Sequence, residues 1–508
     1  MKRLMLIGCA MAGLAAIAAE PAAKATVTVD EAQVIGPMKP MNAVNNGPSV
    51  DKPGGDQKRG NAADYAAARF PFARTHDSIN CVSGGAHCCD INAIFPNFDA
   101  DENDPKNYDF VFTDWYLDAI RRTGTQVYFR LGQTIEHGPK KYGALPPKDY
   151  AKWARICEHV IRHYNEGWGW AVDKAPTTKN IAWSNQFNIV YWEIWNEADL
   201  DAGGDNRWAT NPRCWGAPPE EFYKFYEIAA KYLKGKFPNL KIGGPALAFN
   251  YDWAVKFVEH CEKTKAPLDF FSWHIYIRTP ETLRDRAIAY RKLLDEHGFE
   301  KTESIQNEWN YVKGWGDDWV HSLEVESGRF NLKAAALITA AMTVSQSSPI
   351  DMLMFYDARL HTVMNSLFDL VTYWPKKGYY PFMAWSDMVE RAPTQVKCGV
   401  VEGTLAASDA NTGFVEKKDA AVPGGIRAVA SKGAKGGALL ISRYSDDNNV
   451  TDTATVTVRV KGRSLKGATC LLTDAVRTYT RVPMAIQTDG SAIIYMQPFS
   501  FALIEWND

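Results

Sequence analysis

At 508 residues, the chain is too long for one small core and has room for two domains or for one large barrel with an appendage. Its 46% hydrophobic and 23% charged residues are typical of a globular protein. The formal net charge of −2 argues against nucleic acid or an anionic membrane surface as the main partner, because both attract a strong basic excess. The 17 tryptophans and 22 tyrosines are a high load of flat rings, which proteins use for core packing and for stacking on sugars.

The first residues have the pattern of a secretory signal peptide. A basic pair is followed by a long apolar run, and small residues at Ala18 and Ala25 suit cleavage. We therefore expect residues 1–25 to be removed and the protein to be secreted or periplasmic. The run LIGC around Cys9 is an alternative acceptor for a lipid anchor, but it lies very close to the basic pair. No later segment approaches the roughly 20 uninterrupted apolar residues of a membrane span.

Removal of the signal peptide leaves eight cysteines, an even number that permits disulfides in an oxidising compartment. The run CVSGGAHCCD fits no common zinc spacing, and adjacent cysteines do not easily bind one tetrahedral ion. We expect a disulfide-stapled loop there, and neither a metal nor another cofactor. Cys157 and Cys261 lie in helical patterns and are expected to be buried. The pairing remains open among Cys81, Cys88, Cys89 and Cys214.

Between about residues 35 and 395, short apolar runs alternate with longer helical patterns. The run DYAKWARICEHVIRHY, for example, places Tyr150, Trp153, Cys157, Val160 and Tyr164 on one face of an amphipathic helix. Eight strands, each but the last followed by a helical pattern or a long loop, predict an α/β fold with a (β/α)8 barrel, assigned here to residues 26–395. The predicted strands are an ill-defined one near 37–46 and then 71–78, 126–132, 187–195, 240–246, 270–276, 303–309 and 351–357.

Beyond Pro393 the pattern changes to β-rich runs separated by Gly, Asp and Asn, such as TATVTVRVKG and SAIIYMQPFSFALIEW. No helical period is present in this part of the sequence. We therefore predict a C-terminal accessory domain, an antiparallel β-sandwich, over residues 396–508. The N-terminal run ATVTVDEA is a candidate for an additional strand of the same domain.

The predicted barrel strands end in polar residues to an unusual degree. In a (β/α)8 barrel the active site forms at the C-terminal ends of the strands, so these residues are the first candidates for chemistry. Strands built only for packing would end in turn residues instead. The candidates are Arg74, His76, Asp77, Arg130, Asn196, Glu197, His274, Tyr276, Asn307, Glu308, Tyr356 and Asp357.

Two glutamates differ from the rest, because each follows an asparagine and closes a predicted strand beside a tryptophan. Glu197 lies in WNEA on the fourth strand and Glu308 lies in QNEW on the seventh, across the barrel mouth. Two carboxylates that face each other over a sugar pocket are the minimum requirement for glycoside hydrolysis. One donates a proton to the leaving oxygen, and the other attacks or stabilises the anomeric carbon.

These runs carry a resemblance to a known family. WEIWNEAD with QNEWN resembles the strand-four and strand-seven signatures of the clan A glycoside hydrolases. Together with FARTHDS, YDFVFTDWYLDAIRRTGTQVYFRLG and FFSWHIY, the pattern is most similar to glycoside hydrolase family 39, the family of β-xylosidases and α-L-iduronidases. The likeness covers about residues 35–390, and the family also carries an accessory β-sandwich. One departure is Ala198, where the family usually has proline, a residue that only shapes the backbone there.

The resemblance implies that Glu197 is the general acid/base and Glu308 the nucleophile of a retaining double displacement, with carboxyl groups roughly 5–5.5 Å apart. It implies that Asn196 holds the sugar 2-hydroxyl. We expect the pKa of the acid to be raised by the charge of its partner, and the nucleophile to be kept ionised by hydrogen bonds. The pocket lining would include His76, His274 and Tyr276, although each histidine taken alone is also compatible with a barrel-core role.

The other acidic candidates have structural as well as functional interpretations. Glu193 shares a strand face with Glu197 but lies about 13 Å deeper at roughly 3.3 Å per residue, so we expect a buried structural carboxylate. Asp199 and Asp201 are expected in the following loop. Asp357 is open between a substrate contact and a structural ion pair.

The sequence indicates stacking rings and cations near the mouth without choosing a sugar. The cations would bind a uronate or sulfate group, or else pair with neighbouring aspartates. The rings are Trp208, Trp215, Trp315 and Trp319, and the cations are Arg130, Arg278, Lys313 and Arg359.

We expect a retaining, exo-acting glycoside hydrolase of the β-xylosidase type, with an oligosaccharide or glycoside as its substrate. The alternatives are a hydrolase of arabinosides or of acidic or sulfated glycans, a clan A endo-glycanase, and a non-catalytic glycan-binding protein. The oligomeric state is left open.

Overall fold

The computed structural model describes residues 24–49, 60–78, 87–169, 187–202, 207–312, 315, 332–360, 366–402 and 425–508. The predicted signal peptide over residues 1–25 lies outside these residues, apart from Lys24 and Ala25, which begin the first strand. Within the described ranges, no helix combines the length and the apolar character that crossing a membrane requires.

Eight parallel strands close into a barrel, in which each strand pairs with the next and the last pairs back onto the first. The predicted (β/α)8 barrel is confirmed, and its ill-defined first strand is the three-residue strand Ala43–Asn45. The barrel strands are β2 Ala43–Asn45, β3 Phe72–Arg74, β4 Gln126–Leu131, β5 Tyr191–Ile194, β6 Lys241–Leu247, β7 Phe270–Ile277, β8 Glu303–Tyr311 and β9 Met352–Phe355.

The helices of the barrel pack their apolar faces on the strands. In the helix Tyr150–Glu166, four of the five residues of the predicted face are buried, and Tyr150 is partly buried. The Asp149 side chain caps the N-terminus of this helix by accepting from the Lys152 N–H at 2.9 Å. The described helices are α1 Ala62–Ala68, α2 Ile91–Ile94, α3 Val111–Arg122, α4 Tyr150–Glu166, α5 Pro219–Lys236, α6 Tyr251–Thr264, α7 Glu281–Glu296, α8 Leu332–Gln346 and α9 Tyr380–Arg391.

The second domain is a mostly antiparallel sheet of ten strands, which confirms the predicted antiparallel β domain, and one of its strand pairs, Lys24–Pro37 with Ala454–Val460, is parallel. Its strands enclose a core of their own, to which both halves of the sheet contribute. The strands are β1 Lys24–Pro37, β10 Thr394–Glu402, β11 Ile426–Gly433, β12 Gly436–Arg443, β13 Ala454–Val460, β14 Thr469–Thr473, β15 Thr480–Val482, β16 Ala485–Ile486, β17 Ala492–Met496 and β18 Ser500–Trp506.

The N-terminal strand β1 lies in this second sheet, between β10 and β13. The run ATVTVDEA therefore supplies a strand to the accessory domain, whereas the barrel domain assigned above began at residue 26. The reason is the two-residue period, which buries Ala25, Val27 and Val29 on one face of the sheet.

The two domains meet near the C-terminal ends of β7 and β8. The carboxylate of Asp446, from the loop after β12, lies 2.7 Å from the Arg278 guanidinium and 3.2 Å from Lys333 Nζ. It also accepts a hydrogen bond from the Tyr311 hydroxyl at 2.8 Å. Helix α8, which is buried along almost its whole length, packs between barrel and sheet and accepts a hydrogen bond from Ser442 at Ala336 O.

The expected disulfide-stapled loop is not supported by the cysteines that the structure describes. Cys88, Cys89 and Cys214 are buried free thiols, and Cys81 lies outside the described residues. Cys88 Sγ instead donates to Ser78 Oγ at 3.4 Å, and Cys89 is packed in the main core. Cys157 and Cys261 are fully buried, as expected for small hydrophobic residues.

Candidate active site

Glu197 follows the end of β5, and Glu308 lies within β8. A carboxylate oxygen of Glu197 lies within 4.8 Å of one of Glu308, and both side chains are buried. The fold thus brings together two acids from strands on opposite sides of the barrel. This upper limit between oxygens is compatible with the roughly 5–5.5 Å that separate the carboxyl groups of a retaining glycosidase.

The backbone at the end of β5 is held in an unusual conformation. Trp195 and Glu197 have φ values of 76° and 52°, which side-chain-bearing residues rarely adopt. The Trp195 N–H donates to Leu131 O at 2.6 Å, and the Glu197 N–H donates to Ala246 O at 2.9 Å. Gly132 is required at the neighbouring strand end, because a Cβ there would lie 2.9 Å from Trp195 Cα. The strained segment is fixed by both adjoining strands.

Arg74, at the end of β3, connects four polar residues at the base of the site. Its Nε donates to Glu193 at 2.7 Å, its Nη1 to Glu308 at 3.1 Å, and its Nη2 to Asn196 at 2.6 Å. A further bond of 3.2 Å reaches Asn45. Because Arg74 is fully buried, its charge acts in a medium of low polarity and fixes the positions of these groups.

Two residues of β7 contact the carboxylate pair. His274 Nδ1 lies 2.8 Å from Glu197 Oε1 and 3.6 Å from Glu308 Oε2. The Tyr276 hydroxyl donates to Glu308 Oε1 at 2.7 Å. Both residues thus lie beside the carboxylate pair, and their role in lining a sugar pocket stays a prediction.

The electrostatic environments of the two glutamates differ. Burial raises the pKa of Glu197 to about 7, and the charges of Arg74 and Arg213 only partly oppose the rise. The cause is therefore burial first, rather than the partner's charge expected from the sequence. Burial also raises the pKa of Glu308, but His274, Arg74 and the Tyr276 hydroxyl act in the opposite direction.

The pKa values of both histidines of the site are lowered, which favours their neutral forms. Burial lowers the pKa of His274 to about 4, and burial also holds the pKa of His76 well below its usual value. His76 Nε2 lies 3.7 Å from Glu308 Oε2 and 3.9 Å from Asp77 Oδ2. His76 therefore adjoins the candidate nucleophile without making a hydrogen bond to it.

Glu193 lies below the pair and belongs to the barrel interior. It is fully buried, and it accepts hydrogen bonds from Arg74, from the Tyr128 hydroxyl at 3.2 Å and from the Asn307 amide. These contacts occupy both of its oxygens, which supports the structural role expected for it.

The two aspartates that follow Glu197 hold the backbone of the mouth. Asp199 accepts hydrogen bonds from the N–H groups of residues 248–250, just before α6. Asp201 Oδ2 accepts from the N–H groups of Arg213, Cys214 and Trp215. Both carboxylates are fully buried, so they shape loops near the site.

Asp357 and Arg359 form an ion pair at the end of β9. Asp357 is fully buried and also accepts a hydrogen bond from Asn46 Nδ2 at 3.0 Å. Tyr356 donates to Asp77 at 2.6 Å and accepts from Arg359 Nη2 at 2.6 Å. These contacts favour the structural interpretation of Asp357.

Arg130 and Trp315, the remaining candidates, flank the site. Arg130 is buried, and its Nη2 donates to Asp90 Oδ1 at 2.6 Å. Trp315 is 60% exposed, and its ring centroid lies 5.1 Å from that of Tyr276 in an edge-to-face arrangement. A ring exposed beside the site is suited to stacking on a sugar.

The other tryptophans that were predicted near the mouth differ in their burial. Trp215 is buried against Trp195 and is a core residue, whereas Trp208 is half-buried in a short 3-10 turn. Trp319 and Lys313 lie outside the described residues.

Sequence reasoning placed Arg74 among the polar strand ends but gave it no role in the site. The signal was present, because an arginine inside a short barrel strand must find carboxylate partners to be buried. Their identity depends on β5 and β8, and so the sequence of β3 could not supply it.

Among the described residues, Glu197, His274 and Glu308 also bring three potential metal ligands within 4.8 Å of one another. A divalent cation prefers such oxygen and imidazole donors. These atoms are, however, already engaged with one another, with Arg74 and with Tyr276, and the buried Arg74 guanidinium supplies the positive charge there.

Known structures share this fold. The Caulobacter crescentus CB15 monomeric β-xylosidase structure matches with a TM-score of 0.61 and 13% identity over 95% of this chain and 99% of that one. A glucosidase structure from Croceicoccus marinus gives a TM-score of 0.67 and 20% identity over 96% of this chain and 99% of that chain. At such identities, these likenesses show the fold.

Two curated sequences, both described as Beta-xylosidase, are 26% identical to this chain. The Geobacillus stearothermophilus protein aligns over 204 residues, or 38% of this chain, and the Caldicellulosiruptor saccharolyticus protein over 215 residues, or 41%. The matched region spans 36% of the length of each relative.

The sequence profile described as Glycosyl hydrolases family 39 matches residues 29–335, which is more than half of the chain. The match contains all barrel strands except β9, together with both glutamates of the site. The resemblance inferred from the strand-end runs is thereby confirmed, and the chain belongs to glycoside hydrolase family 39.

Proposed function

We propose that the protein is a retaining glycoside hydrolase in which Glu197 is the general acid/base and Glu308 is the nucleophile. The observation that carries the proposal is the close approach of these two buried carboxylates at the barrel mouth. Their contacts support the division of roles. Glu197 lies beside a neutral histidine and has its pKa raised to about 7, while Glu308 accepts hydrogen bonds from Arg74 and Tyr276.

In the first step, a Glu308 oxygen forms a bond to the anomeric carbon while the glycosidic bond breaks. The leaving oxygen takes the proton of Glu197. In the second step, Glu197 accepts a proton from water, and the water oxygen attacks the anomeric carbon and releases Glu308. Two displacements at one carbon retain its configuration.

Asn196 has the free hydrogen-bonding capacity that a substrate contact requires. Its Oδ1 accepts from Arg74, whereas its buried Nδ2 has no partner among the described residues. A buried amide without a partner is costly, so a sugar hydroxyl that accepts from Nδ2 would gain a full hydrogen bond. This supports the assignment of Asn196 to the 2-hydroxyl. His76, His274 and Tyr276 would complete the binding site, with Trp315 at its edge.

The charges near the mouth favour a neutral sugar. Each cation that was considered for uronate or sulfate recognition and that the structure describes has an aspartate partner: Arg130 with Asp90, Arg278 with Asp446, and Arg359 with Asp357. An acidic substrate would have to compete with these partners. We therefore propose a terminal β-xyloside, in line with the description of both curated relatives. A β-glucoside is the second candidate, since one of the similar structures is described as a glucosidase.

A panel of 4-nitrophenyl glycosides tests the proposal: β-D-xyloside, β-D-glucoside, α-L-arabinofuranoside and β-D-glucuronide. We expect the highest kcat/KM for the β-xyloside, and proton NMR should show β-xylose as the first product of its hydrolysis. α-Xylose as the first product of the β-xyloside would refute the retaining mechanism. Absence of hydrolysis with all four, combined with binding of xylo-oligosaccharides, would indicate a glycan-binding protein instead.

Export of the protein is part of the same proposal, because polymeric glycans occur outside the cytoplasm. It depends on the basic and apolar pattern of the leader. Expression of the full chain in a Gram-negative host, followed by cell fractionation and N-terminal sequencing, should place a protein that begins after Ala18 or Ala25 outside the cytoplasm. An uncleaved cytoplasmic protein would contradict export.

A further inference from the structure

Strand β8, which carries Glu308, has one residue more than the neighbouring strand β7. The two strands pair residue by residue from their first residues up to Trp273 and Gln306. The next pair is His274 with Glu308, so that Asn307 has no partner in register on β7. An extra residue on one strand of a pair is a β-bulge.

The same irregularity is present on the other side of β8. Gln306 pairs with Leu353 of β9, and the next pair is Trp309 with Phe355, so β8 again has one residue more than its partner. Bulges are rare between parallel strands, and they are frequent next to active sites, where they change the direction of a side chain. The bulge of β8 lies at the residue proposed as the nucleophile.

The bulge brings two consecutive side chains into one buried network. Asn307 Nδ2 donates to Glu193, and Glu308 accepts from Arg74 Nη1 at 3.1 Å. Arg74 also donates to Glu193 at 2.7 Å, and both of these residues are fully buried. In a regular strand, consecutive side chains point to opposite faces of the sheet, so only one of the two could enter the network. The direction of the Glu308 side chain therefore depends on the bulge.

Both carbonyl groups of the bulge accept hydrogen bonds from side-chain amides. Asn307 O accepts from Asn45 Nδ2 at 2.8 Å, and Glu308 O accepts from Gln306 Nε2 at 2.6 Å. A bulge disrupts the ladder of backbone hydrogen bonds, and buried carbonyl groups there need other donors. The side chains of Asn45 and Gln306 supply these donors.

Gln306 is a polar residue among apolar neighbours. It is fully buried, and its neighbours in register, Trp273 and Leu353, belong to the main core. Its Oε1 has no hydrogen-bond partner among the described residues. A buried amide that is only half satisfied is costly, so its one hydrogen bond, to the main chain of Glu308, is the contact that explains a glutamine at this position.

We propose that Gln306 is a positioning residue, which directs the Glu308 carboxylate toward the anomeric carbon by holding the bulge. Its amide bonds to the main chain of Glu308 and therefore acts through that residue, without touching the substrate. Arg74 and Tyr276 fix the carboxylate end of the Glu308 side chain, whereas Gln306 fixes the backbone from which the side chain starts. The inference rests on the proposed role of Glu308 as the nucleophile.

The first test measures covalent trapping of the full chain by 2-deoxy-2-fluoro-β-xylosyl fluoride, followed by mass spectrometry. Gln306→Met keeps the length of the side chain and removes the N–H donor. We expect the trapping rate constant at saturation to fall at least about tenfold, because a displacement of about 1 Å can cost about 100-fold in rate. The concentration for half-saturation should change by less than about twofold, since the binding residues are unaltered.

Gln306→Leu, whose side chain suits the apolar neighbours, is a second variant without the donor and should give the same fall. A trapping rate constant that is unchanged in both variants would overturn the role of Gln306.

A double variant separates the direction of the nucleophile from a general loosening of the barrel. In Glu308→Ala, azide replaces the carboxylate and is not attached to the bulge. Addition of Gln306→Met to this variant should therefore change azide-dependent turnover of 2,4-dinitrophenyl β-xyloside by less than about twofold. An equal fall in both backgrounds would show a merely structural role and would overturn the proposal.

Gln346→Met is the matched control. Gln346 is 2% exposed, and its Nε2 also donates to a main-chain carbonyl, Pro37 O, at 3.0 Å, but it lies at the end of α8 and outside the barrel strands. Its substitution should leave the trapping rate constant unchanged, and a fall as large as that of Gln306→Met would count against a specific role. An unaltered protein that is neither trapped nor active on any glycoside would instead refute the hydrolase proposal itself.

Discussion

His274 Nδ1 lies 2.8 Å from Glu197 Oε1, and both side chains are buried. Burial lowers the pKa of His274 to about 4 and raises that of Glu197 to about 7. Between these values the imidazole and the carboxylic acid are both neutral, and one hydrogen bond joins them. The pair therefore keeps a proton next to the site near neutral pH, which is what a general acid requires.

The first prediction concerns the alkaline limb of the pH profile. Glu197 must be protonated to donate, and its raised pKa means that the proton is lost as the pH rises through about 7. We expect kcat/KM for an unactivated β-xyloside to fall about tenfold per pH unit above that value. An acid with the ordinary pKa of a glutamate would lose activity at much lower pH.

The matched variant is Glu197→Ala, assayed on a 2,4-dinitrophenyl glycoside, whose leaving group needs no proton. The alkaline limb near pH 7 should be absent from its first step. Persistence of the same limb in this variant would assign it to another group.

Replacement of Glu308 tests the nucleophile. Glu308→Ala should lower kcat by about 10⁴-fold or more, because no covalent intermediate can form. Azide should restore turnover by entering the space left by the carboxylate, and the product should be a glycosyl azide of inverted configuration by proton NMR. Full activity of Glu308→Ala, or a rescued product of retained configuration, would contradict the assignment of Glu308 as the nucleophile.

Substitutions of Glu193 and of Glu197 should have different effects on the free energy of unfolding. Glu193→Ala leaves the fully buried Arg74 without its partner at 2.7 Å, so we expect the free energy of unfolding to fall by about 3–5 kcal/mol. Glu197→Gln, further along the same segment, should change the free energy of unfolding by less than about 1 kcal/mol while abolishing activity on unactivated glycosides. Denaturant titration with matched activity assays provides the measurement. A stable Glu193→Ala protein would show that this carboxylate is not structural.

The contact of Asp446 with the barrel predicts a further loss of stability. Asp446→Ala removes the partner of Lys333, whose side chain is only 4% exposed, and of Arg278. We expect a loss of about 3–5 kcal/mol in the free energy of unfolding. Asp489→Ala is the control, because its pair with Arg459 has both side chains more than half exposed and should contribute less than about 1 kcal/mol. Equal effects of the two variants would argue against a buried junction between the domains.

Local patterns in the sequence were enough to predict the barrel and most of its strands. The period of apolar residues identifies strands and helices, and polar residues at strand ends mark the face where a barrel carries its site. Glu197 and Glu308 could be paired from the sequence, because each occurs in the same short context at the end of a strand. The second sheet was also predicted, since β-rich runs without helical period leave few other folds.

The contacts of the site were decided by the tertiary structure. Arg74 bonds to Glu193, Asn196 and Glu308, which come from two other strands, so the sequence near residue 74 cannot reveal its role. The expected disulfides failed for a similar reason, because the packing around Cys88 and Cys89 is set by distant helices and strands. Burial, which depends on the whole fold, sets the pKa of Glu197. Sequence period is a local property, whereas burial and contact are properties of the closed barrel.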